Sequence, residues 1–329
     1  MRFGPLDDLM HDHALTDVAV TCEGRVWVDR GNGMSEYVPK VPFRSPDMVR
    51  QYAVQLCAQL GRRLDDACPI ADASNVEGIR IHAVIAPLVP QGACISIRFP
   101  SHMAPRLDRL GSQGLFPSEW YPLLCSLVAR RATILITGGT GAGKTTLLKA
   151  LLRQCDPRER IVSVEEVREL GDLGRDDYVS LVSREANVEG KGAVGLPELV
   201  KATLRMRPDR VVLGECRGEE IADLLRAFNS GHRGGMVTLH ADGVRSVPSR
   251  LVSLGLLAGL NQRAVTMLAA DAFDVVLHIE RNRGRRYITE IGRLTVDEHG
   301  FRGEAVANWN GCGKAVPGPL WVEFLRRWM

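Results

Sequence analysis

No run of about 18 consecutive apolar residues occurs in the 329-residue chain, which excludes a membrane-spanning helix. Residues 1–15 carry Asp7, Asp8 and Asp12 where a secretory signal needs a basic end and an apolar centre, so a cytoplasmic protein is expected. The eight cysteines lie far apart and form no Cys-x-x-Cys pair. That spacing excludes a zinc knuckle and a thioredoxin-type redox site, and leaves most of them to serve as small buried apolar residues. Aromatic residues make up 5% of the chain and the net charge is +3. With so few stacking side chains and no Lys/Arg block, direct nucleic-acid binding is not expected. Lysine is scarce too, at 6 of 42 basic residues, the rest being arginine. Internal repeats and low-complexity tracts are absent. What remains is a water-soluble globular chain, 45% hydrophobic, long enough for two domains.

The most informative stretch is Gly138-Gly139-Thr140-Gly141-Ala142-Gly143-Lys144-Thr145, followed by Thr146. It fits Gly-x-x-x-x-Gly-Lys-Ser/Thr and sits between an apolar strand-like run, 133–137, and a helical pattern over 146–152. Successive glycines let the backbone turn its N–H groups inward, and the helix N-terminus adds positive potential, so the segment forms a cradle for a polyphosphate. The expected ligand is ATP with Mg²⁺, Lys144 reaching the β and γ phosphates and Thr145 holding the metal.

Residues 1–99 read as a small α+β domain. Alternating runs at 17–22 and 25–29 flank Glu23-Gly24 as a hairpin, Ser45-Pro46-Asp47 opens a helix that Gly61 stops, and 79–86 and 93–99 form two more strands. Residues 100–117 read as a linker, because two glycines and three prolines break them. From 118 to 300, strands at 133–138, 160–165, 210–214 and 236–240 alternate with helices near 145–155, 197–206 and 218–229. That alternation predicts an α/β domain with a mainly parallel sheet. Runs at 274–280 and 285–296 flank Asn282-Arg283-Gly284 as a hairpin at the sheet edge. Residues 301–329 read as a Gly-rich tail ending in a short helix.

Hydrolysis requires groups at the carboxyl ends of strands beside the phosphate loop. Three stretches supply them. The strand at 160–165 ends in Glu165-Glu166, either of which could polarise water. The strand at 210–214 stands where a Walker B element belongs but offers Gly214-Glu215 in place of the usual Asp. The run from Gly231 to Ala241 delivers His240 at a strand tip, where an imidazole can meet a phosphate oxygen.

Together these residues resemble the secretion ATPases of type II and type IV systems, within them the CpaF-like branch tied to tight-adherence (Tad) pili and conjugal transfer. The resemblance covers roughly residues 15–296. It rests on Leu60-Gly-Arg-Arg-Leu-Asp65, Pro69-Ile-Ala-Asp72, Gly78-Ile-Arg80, Ile95-Ser-Ile-Arg98, the phosphate loop, Glu165-Glu166-Val-Arg-Glu169-Leu170, Leu204-Arg-Met-Arg-Pro-Asp209, Gly214-Glu215-Cys-Arg217-Gly218 and the Gly231–Ala241 box. It implies a RecA-like P-loop domain behind a regulatory domain, a homo-hexamer with ATP held between the two domains, and an inner-membrane platform as partner. Hydrolysis would drive pilin assembly or substrate export. Position by position, Glu165 or Glu166 is implied as the water-activating carboxylate and Glu215 as the Mg²⁺-linked acid. His240 is implied as the γ-phosphate contact. Arg80, Arg98, Arg184 and Arg217 are implied as phosphate or intersubunit contacts. Departures are Glu-Glu for Glu-Asp in the acidic box, Ser74-Asn75-Val76-Glu77 before Gly78, and Arg233 and Gly235 in the His box.

Overall fold

The computed structural model describes residues 2–12, 14–75, 78–99, 105–184, 191–282, 284–298 and 300–329. Val76, Glu77, Arg283 and residues 100–104 of the expected linker lie outside that set. The chain divides into two compact units, Met1–Met103 and Ala104–Met329.

In the first unit, β1 (Asp17–Val20), β2 (Val26–Asp29) and β3 (Met34–Tyr37) precede α1 (Pro46–Gln59), and β4 (Ile70–Ser74), β5 (Arg80–Ile85) and β6 (Ala93–Arg98) follow it. The strands form one antiparallel sheet in the order β3-β2-β1-β6-β5-β4. The Ser45 side chain accepts from the Met48 N–H and Pro46 occupies the first turn, so α1 starts where its capping residue says it should. Val49, Ala53, Leu56 and Cys57 then bury one face against alternate residues of β5 and β6, such as Ile81, Ile95 and Ile97. β3 and β4 are short and partly exposed, too weakly patterned to stand out in the sequence.

The second unit opens with α2 (Leu107–Ser112) and α3 (Trp120–Ala129). It continues through β7 (Ile134–Thr137), α4 (Lys144–Leu152), β8 (Ile161–Glu165), β9 (Tyr178–Val182), α5 (Leu196–Thr203), β10 (Arg210–Cys216), α6 (Glu220–Asn229) and β11 (Met236–Leu239). Then come α7 (Val247–Leu257), α8 (Gln262–Ala270), β12 (Val275–Asn282), β13 (Arg285–Asp297), β14 (Gly300–Asn308), β15 (Val316–Pro317) and α9 (Trp321–Trp328). All nine strands join one sheet in the order β15-β14-β13-β12-β7-β11-β10-β8-β9, parallel from β12 to β9 and antiparallel beyond β12. Central strands such as β7 and β8 are buried on both faces and therefore read as mostly apolar runs without strict alternation. Ile134 and Ile136 face a core with α3, α4 and α9, whereas Leu135 faces the opposite core with α6, α7 and α8. The sheet is thus covered on both sides, an α/β architecture with a mainly parallel centre.

Several expectations need correction. Residues 105–117 do not behave as a linker: Leu107, Leu115 and Phe116 are buried in the second unit's core, and the Ile288 N–H donates to the Leu115 carbonyl at 2.7 Å. Gly111, which reads as a break, is small because a Cβ there would lie 2.9 Å from the Phe116 ring. Nor are residues 301–329 a loose tail, since β14 pairs along β13, and Phe324 and Trp328 of α9 are buried. The β12–β13 hairpin is accordingly inside the sheet, next to β7, and not at its edge. Only Cys57, Cys155 and Cys216 of the eight cysteines are buried.

Candidate active site

Four neighbouring parallel strands, β7, β11, β10 and β8, end on the same edge of the sheet. Each carries one of the motifs past its carboxyl end, so stretches up to about a hundred residues apart in sequence meet at one place, where ligands bind in open α/β sheets.

The loop after β7 fits tightly. Gly138 has φ +150, and a Cβ there would sit 2.2 Å from the Ile279 carbonyl oxygen of β12. Gly143 caps α4 in a left-handed conformation, φ +105, which only glycine adopts freely. The result is a loop that closes over the first turn of α4, with Thr140, Ala142 and Thr146 completing the turn. Lys144 is buried, and its Nζ donates to the carbonyls of Gly138 at 2.9 Å and Gly139 at 3.0 Å. Burial lowers its pKa, while the Glu215 charge works in the opposite direction.

His240 follows β11 directly, and its ring nitrogens lie 3.3 Å and 3.5 Å from Lys144 Nζ. Burial and the lysine ammonium depress its pKa below the ordinary value, and the neighbouring Glu215 only partly offsets them. The imidazole is therefore neutral at neutral pH, able to donate to a phosphate oxygen from one nitrogen and accept at the other.

Glu215 is aimed at this pair by a bulge. In the β10–β11 ladder Leu213 pairs with Val237 and Cys216 with Leu239, so one extra residue is inserted at Gly214–Glu215. Gly214 cannot carry a side chain, because a Cβ would lie 2.8 Å from Glu165 Cγ, and its carbonyl accepts the Thr238 hydroxyl at 2.6 Å. Glu215 Oε1 comes 2.6 Å from His240 Nε2. This short contact ties the carboxylate to the imidazole and acts to raise the histidine's pKa against the larger effect of burial. The other carboxylate oxygen, Oε2, accepts from Arg217 at 2.7 Å.

The two acids after β8 have separate surroundings. Glu165 Oε1 accepts the N–H groups of Glu169 and Leu170, both at 2.9 Å, so this buried carboxylate shapes the turn that follows it. Glu166 is exposed and paired with Arg217 at 3.2 Å. Arg217 thus bridges Glu166 and Glu215, and its own backbone N–H is tied to Glu220 of α6. The other three expected arginines are not on these four strand ends. Arg80 and Arg98 are cross-strand neighbours in the first unit, with Arg98 bound to Asp17. Arg184 follows β9 and bridges Val194 at the outer strand of the sheet, four ladder steps from β7 or roughly 19 Å at the usual spacing.

Reading the sequence for motifs misses two residues that touch the loop. Thr145 Oγ1 donates to Glu169 Oε2 at 3.0 Å. Arg286 of β13 donates from Nε to the Gly141 carbonyl at 3.0 Å. Glu169 lies within the acidic box and could have been singled out on position; nothing in the sequence places Arg286, 145 residues beyond Gly141.

The Thr145 hydroxyl and the Glu169 carboxylate beside it are hard oxygen ligands of the kind Mg²⁺ prefers. Among the described residues no cluster of three or more His, Cys, Asp or Glu can cage a metal by itself. That arrangement suits an ion carried in by substrate phosphates and steadied by a few protein oxygens.

The fold and the site define an α/β protein with a glycine-rich strand-to-helix loop and an acid–imidazole pair at its mouth. The chain matches the model of the type II/IV secretion system protein family over residues 2–314 and belongs to that family. Among its relatives, Rv3659c of Mycobacterium tuberculosis H37Rv, provisionally named a conjugal transfer protein, is 43% identical over 93% of this chain and 88% of its own. Type IV secretion system protein PtlH of Bordetella pertussis is 30% identical over 84% of this chain and 89% of its own. In fold the chain resembles the Legionella pneumophila ATPase DotB, with a TM-score of 0.62 and 19% identity over 89% of this chain and 81% of that one. Family membership agrees with the resemblance that the ordered boxes carry.

Proposed function

We propose that this protein is a RecA-like ATPase that converts hydrolysis of ATP to ADP and phosphate into domain motion for a secretion or pilus machine. One observation carries the reading: Lys144, His240 and Glu215 converge at the mouth of the Gly138–Thr145 loop. Loop amides and Lys144 hold the β and γ phosphates, Lys144 exchanging its two carbonyl contacts for phosphate oxygens. Thr145, with Glu169 beside it, would hold Mg²⁺, which would neutralise charge building on the phosphates, and Glu215 serves as the Mg²⁺-linked acid that the resemblance implies. His240 meets a γ-phosphate oxygen. Glu215, placed beside His240, orients the attacking water. This assignment is preferred because Glu215 contacts His240 directly, whereas Glu165 Oε1 holds two amides of the following turn and Glu166 serves with Arg217 at the exposed rim. Arg184, on the outer strand, meets a neighbouring subunit of a hexamer.

The test is phosphate release by the purified chain with Mg²⁺-ATP. Lys144→Ala and Glu215→Gln should each lose roughly a hundredfold or more in turnover, and wild-type rates in both would overturn the assignment. No helix among the described residues is long and apolar enough to cross a membrane. The motor therefore works through a platform protein at the inner face of the cytoplasmic membrane. For the cargo there are two readings. Pilin assembly in a tight-adherence pilus follows from the CpaF-like boxes, and conjugal export is favoured by the relatives that bear conjugal-transfer names. Deleting the gene and scoring surface pili against mating frequency separates them.

A further inference from the structure

β12 runs beside the phosphate-loop strand, and its residues Val275, Val276, Leu277 and Ile279 are all buried apolar side chains. His278 in their midst is equally buried, at 2% exposure. An aliphatic residue would serve the core better, because a buried imidazole costs free energy unless its nitrogens find partners. Its Nδ1 lies 2.9 Å from the hydroxyl of Thr137, the fully buried residue that immediately precedes Gly138. Its Nε2 lies 3.5 Å from Glu280, and the carboxylates of Glu290 and Asp242 also act on the ring. Carboxylates only accept, so the partners assign the proton to Nε2 and leave Nδ1 to accept from Thr137.

The opposite end of the chain of contacts leads to His240. A bulge in the β12–β13 ladder pairs His278 with Glu290 and Ile279 with Ile288, so Glu290 stands opposite His278 across the ladder and is the foremost of the charges acting on its ring. Glu290 Oε2 then accepts the N–H of Val244 at 2.6 Å. Val244 opens a short 3₁₀ turn, Val244–Ser246, four residues after His240. The turn is seated on two glycines: a Cβ on Gly292 would come 2.4 Å from Val244 Cγ1, and one on Gly303 would come 2.0 Å from the Val244 carbonyl oxygen. Side chains were thus omitted from β13 and β14 where this segment rests.

We propose that Thr137, His278 and Glu290 form a relay that sets the spacing between the phosphate loop and the segment carrying His240, making His278 a positioning residue for turnover. The inference rests on the ATPase reading above, and goes beyond it by assigning a role to a residue that does not touch the nucleotide. The cradle itself, made by loop amides and Lys144, does not pass through the relay. Disturbing His278 therefore moves kcat and leaves nucleotide binding in place, whereas a merely structural histidine would alter stability alone or both together.

The experiment uses the full chain with His278→Ala, His278→Asn, Glu290→Ala and the His278→Ala/Glu290→Ala pair. Readouts are kcat and KM for ATP, ADP affinity by calorimetry, and hydrogen exchange of the amides in 241–246. His278→Ala should lower kcat roughly ten- to a hundredfold, the cost of an ångström-scale misplacement, with ADP affinity within about threefold of wild type. Exchange at Val244 should quicken. His278→Asn, whose amide can still meet Thr137, should recover much of the rate, and the double variant should be no slower than the worse single one. An unchanged kcat in folded His278→Ala, equal losses in kcat and ADP affinity, or additive losses in the double variant would each overturn the relay. A wild-type chain without ATPase activity sinks the functional reading instead. Exchange at 241–246 then decides the relay, and unaltered protection in His278→Ala refutes it.

Discussion

Lys144→Ala is the perturbation whose outcome follows most directly from the geometry. The ammonium is held by two carbonyl oxygens at 2.9 Å and 3.0 Å and faces the His240 ring. On nucleotide binding those carbonyls are exchanged for phosphate oxygens, so the affinity gained is a difference between two sets of charge-assisted hydrogen bonds. A net preference of about 1.5–3 kcal/mol corresponds to roughly ten- to a hundred-and-fifty-fold in Kd. Turnover should suffer more, because charge moves toward the ammonium in the transition state, and losing one preorganised donor costs about 10²–10³ in rate. Folding stability should hardly change. Truncation strands two loop carbonyls, but it also removes a cation whose desolvation already depresses its pKa. Binding of ADP by calorimetry, phosphate release and a thermal melt on the same preparation give the three quantities. A melt close to wild type with turnover undiminished would refute the reasoning, since it would leave the most buried cation at the loop without a part in catalysis.

Three further outcomes are expected. Glu159→Gln removes the carboxylate that grips buried Arg210 at 2.6 Å and 3.1 Å at the far end of the sheet; an uncompensated buried guanidinium costs about 3–5 kcal/mol, or roughly 6–20 °C in Tm, with ATP turnover per folded molecule unaffected. Gly214→Ala drives a methyl group to 2.8 Å from Glu165 Cγ and should displace Glu215, lowering kcat while a melt shows the chain still folded; wild-type kcat would contradict the packing argument. Burial depresses both His240 and His278 below the ordinary histidine value, so the unfolded chain takes up protons first as pH falls. Stability should therefore be constant on this account above about pH 6.5 and decline below it, and His278→Asn should flatten the decline in Tm measured between pH 7.5 and 5.5.

Much of the candidate site was legible because its motifs are local. A glycine loop between a strand and a helix announces itself through spacing, and so do Glu165-Glu166, Gly214-Glu215 and His240 at strand ends. Ser45 at the start of α1 was readable for the same reason, as a capping residue needs only its neighbours. The partial exposure of β3 and β4, and the packing of Gly111 on Phe116, could not be read this way. Glycine marks a break, a turn or a close contact with equal ease, so residues 105–117 and 301–329 look like punctuation and are core.

By itself, the sequence determined that a glycine-rich loop joins a strand to a helix, that acids and an imidazole stand at the ends of later strands, and that a second, smaller α+β unit precedes them. Tertiary structure alone decided who meets whom. The order β7-β11-β10-β8 is not the order along the chain, and buried parallel strands share one apolar pattern that does not name their neighbours. Long-range pairing also inserted the extra residue at Gly214–Glu215, committed Glu165 to two amides, and laid β12 and β13 against the loop, where Arg286 and His278 became part of it.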